Sequence, residues 1–82
     1  LPEREHEVVL YTRAGCCLCE SAKEAIAQAR RTVAFAYREV DIDGDPRLFA
    51  AHRYDIPVVE VDGSRAFKHQ VAAAALVERL RR

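Results

Sequence analysis

Four consecutive apolar residues, Val8-Val9-Leu10-Tyr11, constrain the fold of this chain more than any other feature. A strand wetted on one face alternates apolar and polar side chains, whereas a strand covered on both faces reads as an unbroken apolar run. Residues 7–11 therefore predict a strand inside a sheet with helices on both sides. With 82 residues in all, that sheet and its helices fill a single domain over residues 1–82. A domain of this size buries only about 60% of the surface its unfolded chain exposes.

The remaining chain supplies the expected companions. Residues 12–15 form a loop in which Gly15 gives the backbone freedom. Residues 17–31 read as a helix, with Leu18, Ala22, Ala25, Ile26 and Ala29 as its apolar stripe. Residues 33–42 are a second strand whose apolar positions change parity midway. Asp43-Gly44-Asp45 is a turn, and Asp45-Pro46 is a helix start that combines a side-chain cap with proline at the first helical position. The short helix that follows runs to about residue 53 and carries Leu48, Phe49 and Ala51. Residues 56–61 form a third strand entered through Pro57. Asp62-Gly63 is a two-residue hairpin turn, and residues 64–68 return as a short, partly charged edge strand. A final helix covers residues 71–80, with Ala73, Leu76, Val77 and Leu80 as its stripe. Arg79, Arg81 and Arg82 complement its dipole. A strand–helix–strand crossover is right-handed and makes its strands parallel. The expected fold is thus α/β, a mixed four-stranded sheet flanked by three helices in the order βαβαββα.

Charge excludes two classes of function. The 13 Lys and Arg cancel the 13 Asp and Glu; a nucleic-acid binder carries a basic excess, and a membrane-surface anchor carries a polybasic cluster. No apolar run approaches the roughly 20 residues of a membrane helix. The first six residues hold no hydrophobic signal core. The chain contains no Met and is read as lacking its start residue. His6 is placed in a mobile terminus.

The chemistry concentrates at Cys16, Cys17 and Cys19. An odd number of cysteines in one cluster is not a disulfide scaffold, and it points to a reducing, cytoplasmic compartment. Cys16 and Cys19 form C-x-x-C at the start of a helix that follows a strand. Two cysteines so spaced are neighbours on one helical turn, so a disulfide between them forms and breaks with little backbone motion. The first faces the free amides and positive end of the helix, which stabilise a thiolate, the species that attacks disulfides. Arg13 adds a nearby positive charge. The second, one turn in, is shielded and resolves the mixed disulfide.

Other readings of the cluster exist. Three thiols and one of His6, His52 or His69 make up a Cys₃His zinc set, or the thiols hold an iron–sulfur cluster. Against this, the side chains of adjacent Cys16 and Cys17 diverge and no second C-x-x-C exists. The bland reading treats the cysteines as small core residues. For Cys17 alone, a bystander thiol is the default. Pro57 has two readings as well: a simple strand start, or a cis peptide after Ile56 held beside the dithiol, leaving the Ile56 backbone free to pair with an extended substrate.

On the segments V-V-L-Y-T-R-A-G-C-C-L-C at 8–19, E-V-D-I-D at 39–43 and I-P-V-V-E-V-D-G at 56–63, the sequence resembles the thioredoxin superfamily. Within it the chain looks like the glutaredoxin-like proteins, in particular a small bacterial type with a G-C-x-L-C site. The resemblance implies a thiol–disulfide oxidoreductase in which Cys16 attacks, Cys19 resolves and Pro57 is a cis-proline. Tyr11, Thr12 and Arg13 then lie beside the site, and Tyr11, Arg13, Ile56, Pro57 and Val58 are the expected substrate-binding residues. No metal or organic cofactor is required for this chemistry. Glutathione is a candidate co-substrate, and the expected partners are a disulfide-bearing protein or glutathione, with thioredoxin reductase or glutathione as reductant. The chain is expected to act as a monomer, away from nucleic acid and membranes. An inert adaptor that keeps the fold is the alternative without turnover. Two departures from the family pattern stand out. Cys17-Leu18 replaces the usual Pro-Tyr or Gly-Phe pair, and Phe67-Lys68-His69-Gln70 replaces the Gly-Gly and acidic pair before the last helix. Lys68 and His69 are left there to meet a carboxylate.

Overall fold

The computed structural model describes residues 6–81; Arg82 and the first five residues lie outside them. Strand β1 (His6–Thr12) leads into helix α1 (Cys17–Arg30), followed by β2 (Phe35–Asp41). A 3₁₀ turn at Ile42–Gly44, helix α2 (Pro46–His52), the hairpin β3 (Val58–Val61) and β4 (Ser64–Lys68), and helix α3 (Ala73–Leu80) complete the chain. The sheet order is β2-β1-β3-β4. β1 runs parallel to β2 and antiparallel to β3, and β3 is antiparallel to β4. This is the mixed four-stranded sheet with three helices that the element order implied.

β1 sits in the middle, as its unbroken apolar run requires. Val8 and Leu10 face one side and have no exposed surface, and Val9, on the other, is also buried. The first side is the main core. There Val8, Leu10, Phe35, Val59 and Val61 pack against Ala22, Ile26 and Ala29 of α1 and Leu76 and Leu80 of α3. Each such leucine or isoleucine contributes about 1.5–3 kcal/mol by burial.

The parity change in the second strand has a physical cause. Phe35 and Tyr37 lie across from His6 and Val8, and Val40 lies across from Tyr11. Phe35 and Tyr37 thus serve the α1 side, while Val40 serves the α2 side. Only Phe35 is fully buried, and Tyr37 and Val40 are half-buried on opposite faces of this edge strand. The strand begins at Phe35, two residues later than expected, because Thr32 and Val33 donate their N–H groups to the Ala29 carbonyl and close α1.

Three local expectations need correction. The buried stripe of α1 is Cys19, Ala22, Ile26 and Ala29, whereas Leu18 is 47% exposed. The helix is capped by Cys16 and rotated so that Cys19 points inward. Ala51 of α2 is exposed, and α2 buries no residue completely. His6 is the first residue of β1, held to Asp62 of the hairpin turn by an Nδ1–Oδ2 contact of 2.6 Å. That turn has the left-handed pair expected of Asp-Gly, with φ of 53° at Asp62 and 85° at Gly63. Asp45 caps α2 through the Arg47 N–H at 2.8 Å.

Candidate functional site

The dithiol lies where β1 runs into α1. Gly15 takes a φ of 78°, which turns the chain into the helix. Cys16 is the N-cap residue, half-buried, with extended backbone angles. Its Sγ accepts the backbone N–H of Cys19 at 3.2 Å. The sulfur thereby takes the place of the serine or aspartate oxygen that commonly satisfies an open donor at a helix start. Cys19 has no exposed surface, and Cys17 is exposed. The two C-x-x-C sulfurs thus occupy different environments: one at the surface against a backbone donor, the other in the core. Burial first, and Cys16 second, push the Cys19 thiol above the usual thiol range. The Thr12 side chain and the Arg13 backbone act in the opposite direction.

Pro57 stands next to this loop. Tyr11 lies opposite Val58, so the register carried one step further sets Pro57 across from Thr12. The Ile56–Pro57 peptide bond is cis. The Pro57 carbonyl accepts the His69 N–H at 2.8 Å, which ties the β4–α3 loop to the same end of the sheet. His69 takes a φ of 68° there. A groove of about 220 Å³ separates Leu18, Ser21 and Ala22 of α1 from His69, Gln70 and Val71. A larger groove of about 660 Å³, between the C-terminal half of α1 and α3, holds no thiol.

The structure distributes the expected substrate-binding residues unevenly. The Tyr11 ring stacks on His52 of α2 at 4.5 Å, and its hydroxyl donates to Glu60 at 3.2 Å. Tyr11 belongs to the α2 side of the sheet because Leu10 and Thr12, its neighbours, point the other way. Burial, then the Glu60 carboxylate, raise its phenol above the ordinary range. Arg13 is held by Asp43 at 3.0 Å and lies over the Phe49 ring at 5.1 Å. The partner Asp43 is distant in sequence, and nothing in the local pattern marks it. Val58 is fully buried, so its side chain offers no surface to a substrate. The Ile56 backbone is not free as expected: its N–H donates to the His52 carbonyl at 3.1 Å, because the turn that follows α2 folds back onto the helix end. His69 bonds through Nε2 to the Tyr54 carbonyl at 3.1 Å and sits 3.7 Å from Asp55. Among the described residues, no group of three or more His, Cys, Asp or Glu is arranged to hold a metal ion. No described helix is long and apolar enough to cross a membrane.

Residues 7–81 match the family model of the glutaredoxin-like domain (DUF836). The chain belongs to this family. It is 39% identical over 67 residues to the glutaredoxin-like protein YDR286C homolog of Dictyostelium discoideum, covering 74% of this chain and 62% of that protein. The chain therefore spans about three fifths of that curated relative. The X-ray structure of XcR50 from X. campestris superposes with a TM-score of 0.77 at 36% identity, covering 90% of this chain and 95% of the other. Chloroplastic thioredoxin z superposes with a TM-score of 0.74 at 16% identity, covering 93% of this chain and 75% of the other, which shows the shared fold. This chain is accordingly a glutaredoxin-like domain with the thioredoxin fold.

Proposed function

We propose that this glutaredoxin-like domain is a thiol–disulfide oxidoreductase that uses Cys16 as nucleophile and Cys19 as resolving thiol. One observation carries the reading: the half-buried Cys16 sulfur accepts a backbone N–H at the start of α1, while Cys19 is sealed in the core behind it. Donors and the helix dipole at this position favour negative charge on sulfur. Burial disfavours it at Cys19. The accessible, donor-supported sulfur is the one that meets a substrate.

The reaction runs in two exchanges. The Cys16 thiolate attacks one sulfur of a substrate disulfide, and the other substrate sulfur leaves with the electron pair. Cys19 then displaces the bound substrate sulfur and leaves a Cys16–Cys19 disulfide. Thioredoxin reductase or glutathione returns the pair to the dithiol. The substrate is a protein disulfide or glutathione disulfide, and the cytoplasm is the compartment in which such a dithiol stays reduced. Within this reading Leu18, exposed beside the dithiol, is the apolar contact for a protein substrate. Of the residues expected to bind substrate, Pro57 remains at the site through its backbone, and Arg13 acts as a nearby charge already paired with Asp43.

The test is a redox titration across glutathione buffers with thiol trapping and mass spectrometry, run beside a disulfide-reduction assay. A reversible two-thiol step mapping to Cys16 and Cys19 is expected, together with loss of reduction in Cys16→Ser. Full activity in Cys16→Ser overturns the assignment of the nucleophile.

A further inference from the structure

His69, in the loop between β4 and α3, takes a left-handed φ of 68°. That conformation costs free energy in any residue with a Cβ, and glycine or asparagine is its usual occupant. The His69 side chain is 52% exposed, so packing returns little. Hydrogen bonds are what this residue gains. Its N–H is shared between the Pro57 carbonyl at 2.8 Å and the Asp55 carbonyl at 3.2 Å. Its Nε2 lies 3.1 Å from the Tyr54 carbonyl. A carbonyl only accepts, so Nε2 carries the proton and donates. One residue thereby engages the carbonyls of Tyr54, Asp55 and Pro57. The ring is committed to the chain's own backbone and not to a ligand carboxylate.

These bonds join two loops that border the dithiol. Residues 54–57 lead from α2 into β3 and carry Pro57, which the β1–β3 register sets across from Thr12. The loop from β4 into α3 forms one wall of the groove of about 220 Å³ whose other wall is Leu18, Ser21 and Ala22 of the dithiol helix. The backbone bonds of His69 need only an N–H, which every residue but proline supplies. The bond to Tyr54 needs a side-chain donor at the reach of Nε2. Backbone strain of this kind persists where the surroundings over-determine it, and it concentrates at binding walls and active sites.

We infer that His69 is a positioning residue for the proposed disulfide exchange: its ring bond to Tyr54 clasps the loop that carries Pro57 to the loop that walls the groove, so that a polypeptide disulfide meets a preformed surface beside Cys16. The inference rests on the oxidoreductase reading for its use and on the hydrogen bonds of His69 for the clasp itself. His69 acts on binding, through Pro57 and the groove wall, and not on the chemistry at sulfur. Loops ordered in advance need not be ordered by the substrate, which strengthens binding.

The test separates the donor from the backbone. His69→Leu removes the donor and keeps a side chain in the left-handed position. His69→Gln keeps a donor at about the reach of Nε2. Both are compared with wild type in reducing insulin and bis(2-hydroxyethyl) disulfide, with dithiothreitol as reductant. His69→Leu is expected to raise KM for insulin roughly threefold to tenfold, the range for one hydrogen bond, with kcat near wild type. Turnover of the small disulfide, which has no polypeptide to lay on the wall, should match wild type. His69→Gln should recover the insulin KM. An unchanged insulin KM in His69→Leu overturns the inference, as does an equal loss in His69→Gln or a matching fall with the small disulfide. Amide hydrogen exchange reads the clasp without turnover: the protection factor at residue 69 should drop by a similar factor in His69→Leu and return in His69→Gln. A wild-type protein that reduces neither disulfide sinks the oxidoreductase reading. Exchange then decides the clasp alone, and equal protection in wild type and His69→Leu overturns it.

Discussion

The two faces of the sheet are built on different principles. The face under α1 and α3 is an apolar core of branched and aromatic side chains. The opposite face lies under the seven-residue α2 and carries Tyr11, Val58 and Glu60, held by a ring stack and a hydroxyl–carboxylate bond. β1 runs between them and delivers Thr12 to the first face and Tyr11 to the second. The dithiol helix is anchored on the apolar face, where Ile26 and Ala29 hold it in place. Cys19 is the first residue of that same buried stripe. The lesson is that Cys19 is positioned by hydrophobic packing, whereas Arg13 and Ile56 are restrained by polar contacts from the α2 side.

Truncation on the apolar face should have the largest effect. Ile26→Ala or Leu10→Ala is expected to cost about 2–5 kcal/mol in chemical denaturation, since both residues are fully buried. Leu48→Ala in α2 should cost less, about 1–2 kcal/mol, because that side chain is half-buried. Equal losses at the two sites would erase the distinction between the faces. Smaller again is Tyr11→Phe, which removes the hydroxyl bond to Glu60 and should lower stability by about 0.5–1.5 kcal/mol. If disulfide reduction in Tyr11→Phe falls while stability holds, the α2 face takes a direct part in the site.

The smallest effect is at the hairpin. The Glu7 N–H, then His6, lower the Asp62 acid below the ordinary carboxylate range. An acid lowered by folding stabilises the folded state above its unfolded value and loses that contribution as pH falls through its folded value. Asp62→Asn should therefore be slightly less stable than wild type near neutrality, with the gap closing below about pH 4. Asparagine tolerates the left-handed backbone at this turn, so denaturation curves at several pH values isolate the charge. A gap that persists in strong acid would assign the effect to the turn backbone.

Much of the site was visible in the chain itself. C-x-x-C after an apolar run and Gly15 located the dithiol, and Asp45-Pro46 and Asp62-Gly63 located a helix start and a hairpin, because caps and turns are local chemistry. The rotation of α1 was not visible. Leu18 and Cys19 are adjacent and both apolar, and the Cys16 cap that turns Cys19 inward competes with a stripe that favoured Leu18. The hold of Asp43 on Arg13, the use of the Ile56 N–H by His52 and the left-handed turn at His69 were also hidden. Each joins segments that meet only when the sheet has formed.

The sequence by itself determined the order of elements, the central place of β1 and the position of the two thiols, since periodicity, caps and turns act within a few residues. Tertiary structure decided which thiol is sealed in the core and which face Tyr11 serves. Those outcomes depend on how helices seat against a sheet, and burial, which sets the chemistry of a sulfur, exists only after that seating.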